Sequence, residues 1–239
     1  AAFEPAEWLY NGTGHVRRGA GDALWDARWT VNGVTSRLTM LPAAQTEVFA
    51  LETYPTDNAF ITENDPPCQT LCVRRNHDAP FVAVWDAWTE APNLTNVTPG
   101  NGPKSVKIVT QSNVYYMVFG GETAFPDGVT VATDGVFALY RASGAVMFAG
   151  GTFAAVSAPE GTLRVSSDGP ASISAECAGG VATLDVSGNV QYDTWGGVDH
   201  YREPSAVSVV IEGALWNVDR QLRRDATAPR DATAENERP

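Results

Sequence analysis

Within GGVDHYREP the chain places Asp199, His200, Tyr201 and Arg202 in succession, and these side-chain types together can take a proton from carbon and hold the charge left behind. His200 or Tyr201 would act on the proton and Arg202 would face the anion, so these three are the candidate catalytic residues. A turn histidine with one backbone hydrogen bond carries the same local sequence. The remaining histidines, His15 in NGTGHVRR and His77 in RRNHDAP, are too scattered to suggest a metal site, and no metal or cofactor is expected. Glu4 with Glu7 and Glu63 with Asp65 fall in loop-like sequence, so a two-carboxylate glycosidase pair cannot be assigned. No nucleophile elbow, P-loop, G-x-G-x-x-G or H-E-x-x-H occurs, which leaves open whether the chain is an enzyme.

Seven tryptophans and seven tyrosines point elsewhere, because a flat aromatic face stacks on the C–H face of a sugar ring. Trp25, Trp29, Trp88 and Trp195 flank turns or loops and are the candidate carbohydrate-binding residues; core packing or edge cover is the alternative for each. In PFVAVWDAW, Phe81, Ala83, Trp85 and Ala87 share one face and Val82, Val84, Asp86 and Trp88 the other. One tryptophan of the pair is expected in the core, and Trp88, beside the loop expected at 89–103, is the one expected at the surface. Acceptor sequons for N-glycosylation occur at Asn11, Asn93 and Asn96, and they matter only in a eukaryotic secretory source.

Cys68-x-x-x-Cys72 fits neither a zinc knuckle nor a redox pair, and a disulfide closing that tight loop, with Cys177 left free and buried, is one reading the spacing leaves open. With 28 acidic against 16 basic residues the formal charge is −12, which argues against nucleic acid or an anionic membrane surface as a partner. The longest basic clusters are the pairs Arg17-Arg18, Arg74-Arg75 and Arg223-Arg224; these could meet an acidic sugar or simply keep sheet edges soluble. No apolar run reaches the ~18 residues a membrane-spanning helix needs. The N-terminal AAFEPAEW does not read as a signal peptide, so a mature or cut-down soluble chain is expected.

The elements that must position these residues read as strands. Runs such as TLCVRR, SVKIVT, VYYMVFGG, GVFALYRA and GAVMFAGGTFAAV alternate apolar with polar or small residues, the period of a sheet with one buried face. Asn32-Gly33 reads as a tight hairpin turn, and strands are expected at 34–41, 47–52, 162–166, 172–177, 181–186 and 205–216. Asp134-Gly135 and Asp168-Gly169 read as turn dipeptides, and 54–67 as an exposed loop. From Arg223 the composition shifts to RRDATAPRDATAENERP, which has nothing to bury. The expected fold is all-β: an antiparallel β-sandwich of more than ten short strands over 1–222, in which 1–33 can be a short N-terminal strand layer, followed by a disordered C-terminal tail at 223–239.

The order of segments resembles the C-terminal β-sandwich region of heparinase II/III-like polysaccharide lyases, some alginate lyases among them. GVTSRLTMLPAAQTEVFALETYP is similar to that region's Leu-rich strand, Pro turn and TEV strand; TLCVRRNHDAPFVAVWDAW to its basic VRR, turn and FVxV strand; and DGVFALYRASGAVMFAGGT to its Asp-Gly hairpin and apolar strands. The resemblance spans residues 33–185 and describes sheet geometry more than catalysis. In that family a helical toroid and a His-rich metal motif supply the active site, and this sequence has neither, so no catalytic residue carries over. The R-x-E-x-R, Q-I-H and Y-F-K-A-G-x-Y-x-Q strands of compact jelly-roll alginate lyases are also missing. The resemblance implies the sandwich portion of a secreted lyase, extracellular or periplasmic, that supports binding of an acidic polysaccharide or oligosaccharide beside a separate helical domain or second chain. Two alternatives stand next to it. One is a free-standing carbohydrate-binding or structural sandwich without catalysis. The other is an autonomous β-elimination enzyme in which Arg202 meets a uronate carboxylate and His200 or Tyr201 takes the C5 proton.

Overall fold

The computed structural model describes residues 4–5, 13–53, 68–76, 79–102, 104–178, 181–192, 199–202, 204, 206–213 and 222–225. Every regular element among them is a strand, and the pairings are antiparallel. The chain divides into two compact units, residues 1–112 and 113–239. The expected loop at 54–67 and the segment 226–239 lie outside the described residues.

The first unit carries β1 (Glu4–Pro5), β2 (Thr13–Ala20), β3 (Trp25–Val31), β4 (Val34–Met40), β5 (Glu47–Thr53), β6 (Cys68–Arg74), β7 (Ala83–Trp88), β8 (Leu94–Pro99) and β9 (Ser105–Thr110). β1-β2-β5-β6 form one sheet and β3-β4-β7 another, and β8 pairs with β9. The β3–β4 hairpin closes through Asn32 and Gly33 at φ 51° and 80°, both left-handed, with Val31 opposite Val34. Such a two-residue turn matches the twist of its strands, and Asn-Gly is the pair that adopts it most readily.

One network holds β8 onto the polar face of β3-β4-β7. Arg37 and Asp86 sit opposite each other on β4 and β7, their side chains only 14% and 11% exposed and 3.3 Å apart. Arg37 Nη2 donates to the Leu94 carbonyl at 2.6 Å, and Asp86 Oδ2 accepts the Leu94 N–H at 3.1 Å, so the pair grips both backbone groups of the first β8 residue. Arg28 lies directly across from Arg37, a like-charge juxtaposition that would be unfavourable alone; Asp26 and Asp86 neutralise it. β8 itself runs through the segment 89–103, whose composition reads as loop. Leu94 and Val97 bury while Thr95 and Asn96 face out, a pattern that a register shift between Leu94 and Asn96 makes possible.

The second unit carries β10 (Val114–Val118), β11 (Gly121–Ala124), β12 (Thr130–Thr133), β13 (Phe137–Arg141), β14 (Ala145–Ala158), β15 (Gly161–Ala178), β16 (Val181–Tyr192), β17 (Asp199–Arg202), β18 (Ala206–Gly213) and β19 (Leu222–Asp225). β14 and β15 form a long hairpin whose two halves belong to different layers. Near its open end β14 pairs with β13, and β15 with β16; near its tip β14 pairs with β12, and β15 with β18. One layer is thus β10-β13-β14-β15-β16-β17 and the other β11-β12-β14-β15-β18-β19. They enclose one core, with Tyr140, Phe148 and Ile173 from the first and Val131, Leu163 and Val209 from the second. The Tyr116 ring meets Phe125 edge-on at 5.1 Å, and its hydroxyl donates to Asp127 at 2.6 Å. Burial, and then that hydrogen bond, push the Tyr116 hydroxyl well above its ordinary pKa.

The bend in this hairpin explains the two Asp-Gly dipeptides. Asp134-Gly135 links β12 of one layer to β13 of the other, and it lies against the register shifts in β14 between Phe148 and Phe153. Gly135 and Gly151 meet backbone to backbone: a Cβ on Gly151 would come within 2.5 Å of the Gly135 Cα. The Asp134 carboxylate accepts the N–H groups of Thr152 and Phe153 at 2.8 and 3.0 Å and the Thr152 hydroxyl at 2.5 Å, filling the gap that the bulge leaves in the ladder. Asp168-Gly169 is not a turn, as the sequence suggested, but lies inside β15, where Asp168 accepts the Ala206 N–H at 3.2 Å and Ser167 donates to the Gly169 carbonyl at 2.6 Å. The strands expected separately at 162–166 and 172–177 are therefore one bent strand. β19 pairs with β18, so the sheet reaches Asp225, inside the segment whose composition suggested a tail.

Replacing Gly151 by Ala should cost about 2–3 kcal/mol in denaturant unfolding, because backbone rather than a movable side chain blocks the new methyl. Gly169→Ala, with nothing within 4 Å of the added Cβ, should leave stability nearly unchanged. Burial raises the Asp134 pKa, but the Thr152 and Phe153 hydrogen bonds outweigh this and hold it below the ordinary 3.8. Its contribution to stability is complete above that value and is lost as pH falls through the lower folded value. Asp134→Asn should therefore flatten the fall in unfolding midpoint below pH ~4 relative to the native chain. Asp86→Ala, which strands the Arg37 guanidinium, should cost about 3 kcal/mol, and Arg37→Met combined with Asp86→Leu less than that, as a double-mutant unfolding cycle will measure.

Candidate functional site

β3 is a terminal strand of its sheet, so one edge of it is unpaired within that sheet. Alternation puts Trp25, Ala27, Trp29 and Val31 on one face and Asp26, Arg28 and Thr30 on the other. Register carries the first face across the sheet: Trp29 lies opposite Ser36, and Leu38 opposite Trp85. Trp29 and Trp85 meet edge to face with centroids 5.7 Å apart, and they are 39% and 65% exposed. Val31 and Val34 at the hairpin turn extend this exposed apolar strip.

This reverses the exposure expected within PFVAVWDAW. Trp85 faces outward, whereas Trp88 shares the polar face with Asp86 and lies half-buried, the Arg37 guanidinium 5.5 Å from its ring centroid. Alternation alone sorts these two tryptophans onto opposite faces; the charged pair Arg37–Asp86 decides which face β8 covers.

Along β3 runs a groove of about 400 Å³, in the size range of small-ligand sites. Trp25, Trp29, Asp26 and Arg28 line one side, and Gln69 and Leu71 of β6 the other. Val48 and Ala50 of β5 also contribute to the lining. Trp25 reaches it because Gly21 leaves room: a Cβ there would come within 2.9 Å of the Trp25 Nε1 and 2.7 Å of a Val48 methyl. The chain around Gly21 is pinned to β5 by the Gly21 N–H on the Thr46 carbonyl and the Asp22 carboxylate on the Thr46 N–H, both at 2.8 Å. Arg28 donates Nε–H to Asp26 at 2.7 Å, a carboxylate and a guanidinium that border the groove from the face of β3 opposite Trp25 and Trp29. Such a lining can stack on C–H surfaces while accepting and donating hydrogen bonds to hydroxyls.

Of the residues expected to bind, the fold brings Trp25 and Trp29 together, sets Trp88 on the opposite face, and leaves Trp195 outside the described residues. His200, Tyr201 and Arg202 supply backbone to β17, which pairs with β16, and their side chains lie outside the described residues. Asn93 and Asn96 are exposed, Asn96 donating to the Thr98 hydroxyl at 3.3 Å, and Asn11 lies outside. Cys72 is free, and it lies four extended steps along β6 from Cys68, ~13 Å away and well beyond disulfide reach. Among the described residues no cluster of His, Cys, Asp and Glu suits a metal ion, and no helix is long and apolar enough to cross a membrane. The places of Trp85, Gln69 and Leu71 have no local signal in the sequence; the strand register, which brings Leu38 opposite Trp85 and Leu71 opposite Ala50, shows where they lie.

In comparisons with known proteins, no protein-family model, no curated protein and no solved structure matches this chain.

Proposed function

We propose that the first unit binds a polysaccharide along the β3 groove. The observation that carries this reading is the pair Trp25 and Trp29, four residues apart on one face of a terminal strand and ~13 Å from each other along it, long enough to engage an oligosaccharide rather than a single sugar. Trp85 extends the aromatic surface beyond the groove, and Asp26, Arg28 and Gln69 add polar partners. A binding sheet within a secreted polysaccharide lyase and a free-standing carbohydrate-binding sandwich both place a sugar chain on such a surface, and the groove supports the part they share. A polymeric sugar as ligand accords with an extracellular or periplasmic location. In a eukaryotic secretory setting the exposed Asn93 and Asn96 would carry glycans of their own.

Trp29→Ala should weaken binding about ten-fold, the loss of one well-placed aromatic contact, without lowering the unfolding midpoint, since Trp29 is already partly exposed. Trp85→Ala should weaken it less, by loosening the Trp29 ring. Trp88→Ala should leave binding unchanged while lowering the midpoint. Electrophoretic retardation in gels containing soluble polysaccharide, paired with thermal unfolding, checks all three; equal retardation of native and Trp29→Ala protein would refute the proposal.

A further inference from the structure

We infer that the polymer held in this groove is uncharged, a neutral glycan rather than a uronate or sulfated one; this rests on the carbohydrate-binding reading above. The guanidinium in the groove lining is already engaged, as are several others of the first unit. Arg28, the cation in the lining, is bonded to Asp26, and its cross-strand neighbour Arg37 is held by Asp86 and the Leu94 carbonyl. On the four-stranded sheet Arg18 and Arg74 share Glu47, whose pKa is lowered, chiefly by the Arg74 hydrogen bond. Arg75, the other half of the Arg74-Arg75 pair, donates to the carbonyls of Pro80 and Leu41.

A carboxylate or sulfate entering the groove would meet Asp26 as a like charge and would have to compete with it for Arg28. The −12 charge of the whole chain opposes a polyanion at longer range. A hydroxyl pays neither penalty: Asp26 accepts from one hydroxyl and Arg28 donates to its neighbour, the ion pair staying in place, while Trp25 and Trp29 take up C–H surface. The groove is thus balanced in charge and rich in aromatic area, the complement of a neutral sugar. The acidic polymer implied by the lyase resemblance is a different ligand class, and the two can be told apart.

Isothermal titration of the full 239-residue chain with soluble neutral polymers (a mixed-linkage glucan, a galactomannan, a xylan) and anionic ones (alginate, polygalacturonate, heparin), at about 0.01 M and about 1 M salt, separates them. The expected result is that a neutral polymer binds more tightly than any anionic one, with an affinity that changes less than about two-fold between the two salt concentrations. An anionic polymer binding as tightly as or more tightly than every neutral one, and weakening about ten-fold or more at high salt, overturns the neutral assignment and leaves the carbohydrate-binding reading standing. No binding by either class overturns that reading, and the neutral assignment with it.

Discussion

For β14 and β15 to serve two layers, the chain has to cross between those layers where the long hairpin bends, and there two backbones come closer than any side chain permits. Gly135 and Gly151 make that approach possible, and Asp134 supplies the acceptors that the interrupted ladder lacks. The remainder of the second unit follows from it. With the bend fixed, Val146 and Phe148 of one half and Ala154 and Val156 of the other all point into the same core. The single core, the Tyr116–Phe125 contact and the Tyr116–Asp127 hydrogen bond are available only once the layers face each other.

The first unit depends on a different kind of constraint. Its three-stranded sheet has one face rich in charge and one rich in aromatic rings, and either might have been covered. Arg37 and Asp86 decide the matter by offering both a donor and an acceptor to the backbone of Leu94, an arrangement that apolar side chains could not provide. The face left open carries Trp29 and Trp85. An exposed apolar strip of this kind has a cost in solubility, and its retention next to a groove lined by Trp25, Asp26 and Arg28 is the physical basis for reading it as a binding surface.

Much of this architecture was legible in the residues. Period-two alternation in WDARWTV and in VYYMV marks strands with distinct faces, and Asn32-Gly33 declares its hairpin because few other dipeptides tolerate two left-handed residues. What local patterns could not convey was anything decided between strands distant in sequence. Asp168-Gly169 has the composition of a turn, yet its carboxylate is satisfied by Ala206, thirty-eight residues away, and so the strand continues. Thr89 to Pro103 has the composition of a loop, but Leu94 and Val97 find a partner strand and an inward face. The exposure of Trp85 over Trp88 likewise hinges on Arg37, forty-eight positions before one and fifty-one before the other. Trp25 and Trp29 are legible as candidates because an aromatic residue beside turn sequence is a local signal, whereas their common face is fixed by the strand.

The shared hairpin also bears on how such a unit could be inherited. In many sandwiches each sheet has its own strands, and one can be lost, duplicated or exchanged while the other keeps its hydrogen bonds. Here the same two backbones run through both layers, so a recombination break anywhere along β14 or β15 leaves two incomplete ladders instead of one finished sheet. The two-residue tip between Ala158 and Gly161, where Pro159 and Glu160 are exposed, is the point on the hairpin where extra sequence could enter without unpairing either layer. Evolution of the second unit is thereby channelled toward insertion at that tip and away from piecewise replacement of its sheets.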